Sequence, residues 1–213
     1  MVLGAQAPGR VGRRRIIFEE EPRERLFFVP LDSPGMELSD GHVSLRPPED
    51  EDVDWVVHSC RDPENQRWLP LLPSPYERSD AEWWIRRCKS VWADGSAAPF
   101  IVVDSATGER LGTIEVRTAE PADVGYWLAP EARGRGAMTR ALRLLMRYAF
   151  EERGLKQVEL FTLLDNARSQ AVAERAGFRR AGRTEGKIES RDGKRHDALR
   201  FVLDAPPPRS GGG

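Results

Sequence analysis

The stretch VGYWLAPEARGRGAMTRAL, residues 124–142, decides the fold expected for this chain. It predicts a strand from Val124 to Leu128 and a long helix from about Gly136 to Arg153, with apolar side chains on one helix face. The loop Arg133-Gly134-Arg135-Gly136 joins the two. Unpaired backbone N–H groups and the positive end of the helix dipole point at this loop, and the arginines add charge. The stretch therefore predicts an anion site that suits a pyrophosphate.

A second stretch, DNARSQAVAERAGF at residues 165–178, follows another predicted strand, Val158 to Leu163. Asn166 is expected to cap the helix from Ala167 to Ala176, and Ser169 lies on the first turn of that helix. The carboxyl ends of two parallel strands joined by a helix meet at one edge of the sheet. Asn166 and Ser169 are therefore expected beside the anion site.

Two common nucleotide motifs fit the glycine loop poorly. A Walker loop needs Lys-Ser/Thr where Ala137-Met138 stands. A dinucleotide fingerprint needs Gly or Ala at the position of Thr139 and an acidic residue about twenty positions later. A loop that merely turns the chain into a helix stays open as the alternative.

The remaining elements indicate an α/β (α+β) chain. Alternating apolar residues predict further strands, and helical spacing predicts helices beginning near Val53 and after Ser79, with Ser79 and Glu82 as a capping box. The predicted fold is a mixed, mostly antiparallel sheet of about six to seven strands flanked by helices on both faces. The strands are expected at residues 42–46, 100–103, 111–117, 124–128, 158–163, 183–190 and 197–203.

The composition excludes several classes of protein. The 213 residues contain no apolar run of about 18, so no membrane-spanning helix is predicted. A net charge of −1 argues against a nucleic-acid-binding protein. Two cysteines, Cys60 and Cys88, are too few for a disulfide framework and lack the clustering of a zinc site. These features predict a cytoplasmic protein with reduced thiols and no metal.

The ends of the chain differ in composition from its middle. Residues 1–40 are rich in Gly, Pro and blocks of Arg and Glu, which predicts a flexible N-terminal extension. Its apolar patch, Leu26 to Val29, could dock over a substrate opening. Residues 41–204 are expected to form the working domain, and residues 205–213, APPPRSGGG, a disordered tail.

The two stretches together resemble the GNAT superfamily of acetyl-CoA-dependent N-acetyltransferases, in the branch that includes the ribosomal-protein N-terminal acetyltransferases. LRPPEDEDVDWVVHSCRDPENQRWL at residues 45–69 and DGKRHDALRFVL at residues 192–203 also match that branch, so the resemblance covers Gly41 to Leu203. It implies transfer of an acetyl group from acetyl-CoA, the co-substrate, to a primary amine by direct attack in a ternary complex. The acceptor is expected to be a protein N-terminus or a small amine.

The resemblance also implies a set of cofactor-binding residues. The backbone of the glycine loop and first helical turn would hold the CoA pyrophosphate, that is Arg133, Gly134, Arg135, Gly136, Ala137, Met138 and Thr139. Trp127 and Leu128 would offer backbone hydrogen bonds to the pantetheine arm, as an added strand would. Asn166 would bind the pantetheine, and Ser169 would lie near the thioester sulfur. The sequence departs from the family at Glu131, where Gln or Arg is usual, and at Ala173, where many relatives have Tyr.

Acetyl transfer needs a neutral amine and a route for its proton. Asp123 is a candidate base, because strand alternation places it on the face of Trp127, and Glu115 on the preceding strand is its rival. Ser169 is the candidate acid or sulfur contact, although a thiolate with a pKa of about 8.5 leaves with little help. The alternatives are a solvated acid at a strand end and a second capping hydroxyl.

Two other kinds of protein remain as competing hypotheses. Glu131 and Ala173 motivate a non-catalytic module that binds or senses acyl-CoA. The third hypothesis is a nucleotide-binding domain with no preference for CoA. No nucleic-acid or membrane partner is expected. Dimers are common among relatives of the family, so a homodimer is a possible state, which nothing in the sequence fixes.

Overall fold

The computed structural model describes residues 36–207 and, for residues 14–17, the backbone. The apolar patch from Leu26 to Val29 lies outside the described residues, as do residues 208–213 of the expected tail.

The strands of the described chain form one nine-stranded sheet in the order β1-β2-β3-β4-β5-β6-β7-β9-β8. Neighbours are antiparallel, except that β1 pairs with β2 and β6 with β7 in parallel. The predicted class, a mixed and mostly antiparallel α/β sheet, is confirmed. The strands are β1 Arg14–Ile17, β2 Met36–Ser39, β3 Val43–Arg46, β4 Ala97–Asp104, β5 Arg110–Arg117, β6 Asp123–Leu128, β7 Gln157–Leu163, β8 Arg179–Glu189 and β9 Arg195–Asp204.

The sheet is larger than predicted because β1 and β2 lie in the segment that was expected to be a flexible extension. The seven predicted strands correspond to β3 through β9. Leu38 of β2 pairs with Leu45 of β3, and both side chains are fully buried. The predicted boundary at residue 41 is therefore wrong for residues 36–39. A four-residue strand is too short to show a clear period, and its stability comes from the strand beside it.

Helices cover both faces of the sheet. They are α1 Val53–Cys60, α2 Pro63–Trp68, α3 Arg78–Asp94, α4 Ala137–Glu151 and α5 Ala167–Arg175, with 3-10 turns at Asp50–Asp52 and Pro130–Ala132. Trp127 packs with the cluster of α1 and α3, whereas Tyr126 and Leu128 pack with that of α4 and α5. Because successive strand residues point to opposite faces, the two helix groups lie on opposite sides of β6. No helix of the described chain is long and apolar enough to cross a bilayer.

Two features near α2 and α3 differ from the predictions. The short α2 was not predicted; Asp62 caps it by accepting a 3.0 Å hydrogen bond from the Asn65 N–H. The helix α3 begins after Glu77, which forms a reciprocal capping box with Asp80, so the predicted box of Ser79 and Glu82 is wrong. Glu and Asp three residues apart satisfy the same end groups, and Ser79 already lies inside the helix.

The parallel contact between β6 and β7 is short and opens the sheet. Only Asp123 with Glu159 and Val124 with Leu160 are paired, after which the strands separate. The second half of β6 therefore presents one unpaired edge toward β7. This gap positions the candidate site.

A glycine on β5 allows the close pairing of β5 with β6. A Cβ added to Gly112 would lie 2.3 Å from the Trp127 carbonyl oxygen, a backbone atom that cannot move aside. We expect Gly112→Ala to lower the free energy of unfolding by about 1–3 kcal/mol, measured by denaturant titration. Gly125→Ala is the matched control, because its Cβ would lie 3.4 Å from the Arg117 guanidinium, which is the end of a long side chain and not backbone. Equal losses in the two variants would contradict this explanation.

Candidate functional site

A cavity of about 1020 Å³ occupies the gap between β6 and β7. On one face of the sheet it is walled by the first turns of α4 and α5. On the other face it is walled by the segment 68–73 and by α3. We call the first part the cofactor end and the second the acceptor end. A volume of this order accommodates a ligand larger than most drugs.

The glycine loop forms one wall of the cofactor end. Gly134 and Gly136 have φ angles of +78° and +77°, and Gly136 is the N-cap of α4. A Cβ at either position would meet no atom, so the left-handed backbone and not lack of space requires glycine. In the first turn of α4 the Thr139 N–H donates to the Gly136 carbonyl at 3.1 Å, whereas Ala137 and Met138 lie too early in the helix for an α-helical acceptor. Gly134, Gly136, Met138 and Thr139 line the cavity, as predicted for the anion site, whereas Arg135 and Ala137 do not.

The Thr139 side chain adds an unsatisfied polar atom to this wall. The residue is buried, and its Oγ1 has no hydrogen-bond partner in the described structure. Buried hydroxyls nearly always have a partner, so the unpaired Thr139 Oγ1 is a group that a ligand at this wall can satisfy. With the N–H groups around it, Thr139 Oγ1 suits the oxygen of an anion.

The two arginines of the loop are not directed at this anion site. Arg133 donates to Glu64 Oε2 at 3.1 Å, to Asn65 Oδ1 at 3.1 Å and to Asp62. Arg135 is 54% exposed and pairs with Glu109 at 3.3 Å. Carboxylates pair with both guanidinium groups, although Arg133 lines the cavity. That the two arginines add charge for a pyrophosphate stays a prediction, and the backbone N–H groups and Thr139 are the other groups at this wall.

The register of β6 corrects one predicted backbone contact. The Ala129 N–H donates to the Leu111 carbonyl at 2.9 Å. Since hydrogen-bonded pairs alternate along antiparallel strands, the backbone groups of Trp127 face Thr113 on β5. Trp127 lines the cavity with its side chain, which stacks on Trp55 with ring centroids 5.3 Å apart. Its predicted backbone contact with a pantetheine is therefore wrong.

Tyr126 and Leu128 carry the free backbone groups of this edge. The same alternation turns their N–H and C=O groups away from β5. The Leu128 carbonyl accepts a 3.1 Å hydrogen bond from Asn65 Nδ2, which leaves its N–H directed at the gap. An extended ligand could pair with this edge as an added strand does.

The predicted pair Asn166 and Ser169 lies at the cofactor end. Asn166 Oδ1 accepts the Ser169 N–H at 3.1 Å, which confirms the predicted cap. Sequence reasoning missed Tyr126, whose Oη lies 2.9 Å from Ser169 Oγ and donates to the Ser169 carbonyl at 3.2 Å. Burial raises the pKa of Tyr126 to about 12, and the hydrogen bond with Ser169 offsets only part of that effect. The phenol is therefore a proton donor at neutral pH.

The structure separates the two candidate carboxylates. Glu115 lines the cavity and accepts hydrogen bonds from Arg87 at 2.5 and 3.0 Å and from Arg117 at 3.3 Å. Asp123 is not among the lining residues, and both of its oxygens accept from Arg117, at 2.8 and 2.7 Å. The hydrogen bonds that Arg87 donates to Glu115 raise the pKa of Arg87, and those that Arg117 donates to Asp123 raise the pKa of Arg117. Of the two, only Glu115 is placed to meet a ligand at the acceptor end.

Apolar side chains form the rim of the acceptor end. Leu71 and Trp83 line the cavity although they are 64% and 60% exposed. Asp80 and Glu189 also line it. In residues 36–207, no group of three or more His, Cys, Asp or Glu residues is placed to hold a metal ion.

The comparisons with known proteins agree with this geometry. Residues 42–179 match the family model described as an acetyltransferase (GNAT) domain. The Bacillus subtilis protein "Putative ribosomal N-acetyltransferase YdaF" is 39% identical over 173 residues, which cover 76% of this chain and 91% of that protein.

Solved structures share the fold at lower identity. Mycobacterium smegmatis RimJ in complex with CoA-disulfide has a TM-score of 0.70 at 23% identity, covering 79% of this chain and 84% of that one. The microcin C7 self-immunity acetyltransferase MccE in complex with acetyl-CoA and AMP has a TM-score of 0.68 at 19% identity, covering 76% of this chain and 92% of that one. At these identities the likeness establishes a common fold.

Proposed function

This chain belongs to the acetyltransferase (GNAT) domain family and is an N-acetyltransferase; we propose that it transfers an acetyl group from acetyl-CoA to the primary amine of a protein N-terminus. One observation carries the choice of cofactor: a buried hydroxyl without a partner, Thr139 Oγ1, stands at the start of α4, where Ala137 and Met138 lie too early for an α-helical acceptor. The cavity beside it is also lined by residues of the acceptor end.

The residues of the cofactor end fit CoA. The backbone of residues 134–139 and the Thr139 hydroxyl would hold the pyrophosphate, and the free edge of Tyr126 and Leu128 would pair with the pantetheine. Asn166 would contact the same arm, and the Ser169 hydroxyl would lie near the sulfur. Bound acetyl-CoA supplies the acetyl thioester.

The residues of the acceptor end would prepare the amine. A free amine is mostly protonated at neutral pH, and the Glu115 carboxylate can accept its proton through an ordered water. The hydrogen bonds from Arg87 and Arg117 hold Glu115 in one orientation. After attack, the Ser169 Oγ–H can donate a hydrogen bond to the departing thiolate sulfur, and Tyr126 Oη lies 2.9 Å from Ser169 Oγ. The thiolate is a good leaving group, so the Ser169 contribution is small.

The acceptor rim favours a protein N-terminus over a small amine. The exposed Leu71 and Trp83 can pack against the residues that follow an N-terminal amine, whereas a small amine would leave them in water. The name of the Bacillus subtilis relative points to a ribosomal acceptor for that protein. The buried free thiols of Cys60 and Cys88 support a cytoplasmic location as part of this proposal. The homodimer stays a prediction.

The direct test offers acetyl-CoA together with a panel of N-terminal peptides and a panel of small amines. Mass spectrometry should detect acetylated peptides, and thiol release should match their amount. Acetylation of small amines alone would contradict the choice of acceptor. Thermal stabilisation by acetyl-CoA without thiol release on any acceptor would favour a non-catalytic acyl-CoA-binding module. Equal stabilisation by unrelated nucleotides would favour the nucleotide-binding hypothesis.

Removal of the Thr139 hydroxyl should weaken CoA binding without lowering the free energy of unfolding. We expect Thr139→Val to weaken CoA binding about tenfold or more, because a hydrogen bond to a charged group contributes about 1.5–3 kcal/mol. The free energy of unfolding should stay the same or rise, since the hydroxyl has no protein partner. Calorimetric titration with CoA and denaturant unfolding measure the two effects.

Ser59→Ala is the matched control for Thr139→Val. Ser59 Oγ is also buried without a partner, but Ser59 lies in α1 and does not line the cavity. This variant should keep the stability and leave CoA binding unchanged. A stability loss in Thr139→Val with unchanged CoA binding would show that the hydroxyl has a structural role instead.

A further inference from the structure

Arg133 is the centre of a cluster that ties the glycine loop to α2. Its guanidinium donates to Asp62, Glu64 and Asn65, with the Glu64 and Asn65 contacts both at 3.1 Å. We call these four residues the Arg133 cluster. Its polar groups are largely shielded from water: the Arg133 and Asp62 side chains are 22% and 14% exposed. Ion pairs of this kind hold their partners in place more firmly than surface pairs do.

Two members of the cluster also connect α2 to the end of β6 and to the first turn of α5. Asn65 Nδ2 donates to the Leu128 carbonyl at the end of β6. Glu64 Oε1 accepts from Arg168 at 2.6 Å, which joins α2 to the first turn of α5. The position of α2 therefore depends on groups of β6, the glycine loop and α5. Its own six residues form too short a helix to be stable alone.

The segment that follows α2 is the wall of the acceptor end. Leu69, Pro70, Leu71, Leu72 and Pro73 all line the cavity. Gln66 of α2 donates to the Pro73 carbonyl at 2.9 Å, and this hydrogen bond attaches the far end of the segment to the helix. A movement of α2 would displace this wall.

We infer that Arg133 is a positioning residue for the acceptor site: through Asp62, Glu64 and Asn65 it holds α2, and with it the acceptor wall at residues 69–73, against the cofactor loop. This inference rests on the proposed function for its kinetic part. It assigns to Arg133 a role different from the pyrophosphate contact that its place in the glycine loop predicts. Its guanidinium is occupied by the acids of α2, and the anion site beside Gly134 uses backbone N–H groups.

The test replaces Arg133 by Met, which keeps the apolar stem and removes the charge. Binding of CoA alone is measured by calorimetry, acceptor kinetics with a peptide substrate, and backbone mobility by hydrogen exchange of residues 63–73. We expect CoA binding within about threefold of wild type. The acceptor KM should rise by about tenfold or more with a smaller change in kcat, and exchange of residues 63–73 should become faster.

Two further variants keep the inference falsifiable. Glu64→Gln breaks contacts to Arg133 and Arg168 without touching the loop, and should raise the acceptor KM and the exchange rate in the same way. Arg140→Met is the control, because Arg140 on α4 pairs with Asp40 and does not line the cavity. It should change none of the three measurements.

The outcomes distinguish this inference from the proposed function. CoA binding weakened about tenfold or more in Arg133→Met, with unchanged exchange of residues 63–73, would overturn the inference and restore the pyrophosphate contact. If no acceptor is acetylated by the wild-type protein, the proposed function fails, but CoA binding and hydrogen exchange still decide the role of Arg133.

Discussion

Replacement of Glu115 by Gln is expected to lower kcat/KM by about 10²–10⁴-fold, the usual effect of losing a general base. Glu115 is the strand carboxylate that reaches the acceptor end of the cavity, where Arg87 and Arg117 orient it. Gln keeps the shape of the side chain but cannot take a proton. Steady-state kinetics with a peptide acceptor, run at several pH values, measure this loss.

Asp123→Asn is the matched control for Glu115→Gln. Asp123 shares the partner Arg117, lies on the same face of the neighbouring strand, and does not line the cavity. We therefore expect a small loss of activity and an unchanged pH profile. Equal losses in both variants would show that Glu115 and Asp123 act together through their shared partner Arg117. A larger loss in Asp123→Asn would assign the base to Asp123.

Replacement of Asp52 by Ala is expected to lower the free energy of unfolding by about 3–5 kcal/mol, because it leaves buried charges without a partner. Asp52 is fully buried and accepts from Arg46 at 2.8 and 2.6 Å, from Arg110 at 2.6 Å and from the Glu49 N–H at 2.8 Å. These bonds join the first turn after β3 to β5 across the sheet. Denaturant titration measures the loss.

The contribution of Asp52 should depend on pH. Burial acts to raise the pKa of Asp52, but the hydrogen bonds from Arg46, Glu49 and Arg110 outweigh burial and hold that pKa below its ordinary value. A lowered folded-state pKa stabilises the protein above the unfolded-state pKa, about 3.9, and this stabilisation is lost as the pH falls toward the folded-state pKa. The difference between wild type and Asp52→Ala should therefore shrink below about pH 4.

Asp54→Ala is the control from the same acidic run of sequence. Asp54 is 83% exposed and pairs with Arg78 on the surface. Exposed pairs contribute about 0–1 kcal/mol, so this variant should lose little stability at any pH. A comparable loss in Asp54→Ala would contradict the importance of burial for Asp52.

The acidic run from Asp50 to Asp54 shows that a sequence pattern does not reveal which of its residues is buried. Asp50, Glu51, Asp52 and Asp54 stand in one acidic run of the sequence, and Asp52 alone of these four is fully buried. Its partner Arg110 lies 58 residues later in the chain. Spacing within a helix or a turn cannot reveal such a pair, because only the folded sheet brings its members together.

The candidate site also contains features that neighbouring residues determine and contacts that only the folded chain brings together. The glycines with positive φ and the Asn166 cap were predictable, since each depends on hydrogen bonds within a few residues. The pairing of Tyr126 with Ser169 spans 43 residues, and that of Arg133 with Asp62 spans 71. The choice between Glu115 and Asp123 also depended on which side chain reaches the cavity.

The sequence by itself determined the order of strands β3 to β9, the helices other than α2, and the family, and it predicts the anion site at the start of α4. Alternation, caps and glycine turns report local backbone conformation, and local conformation follows from neighbouring residues. The tertiary structure alone decided that β2 joins the sheet, that Arg133 faces α2, and that Glu115 reaches the acceptor end. These outcomes depend on burial and on charge pairs between distant segments, whose energies exist only once the chain has folded.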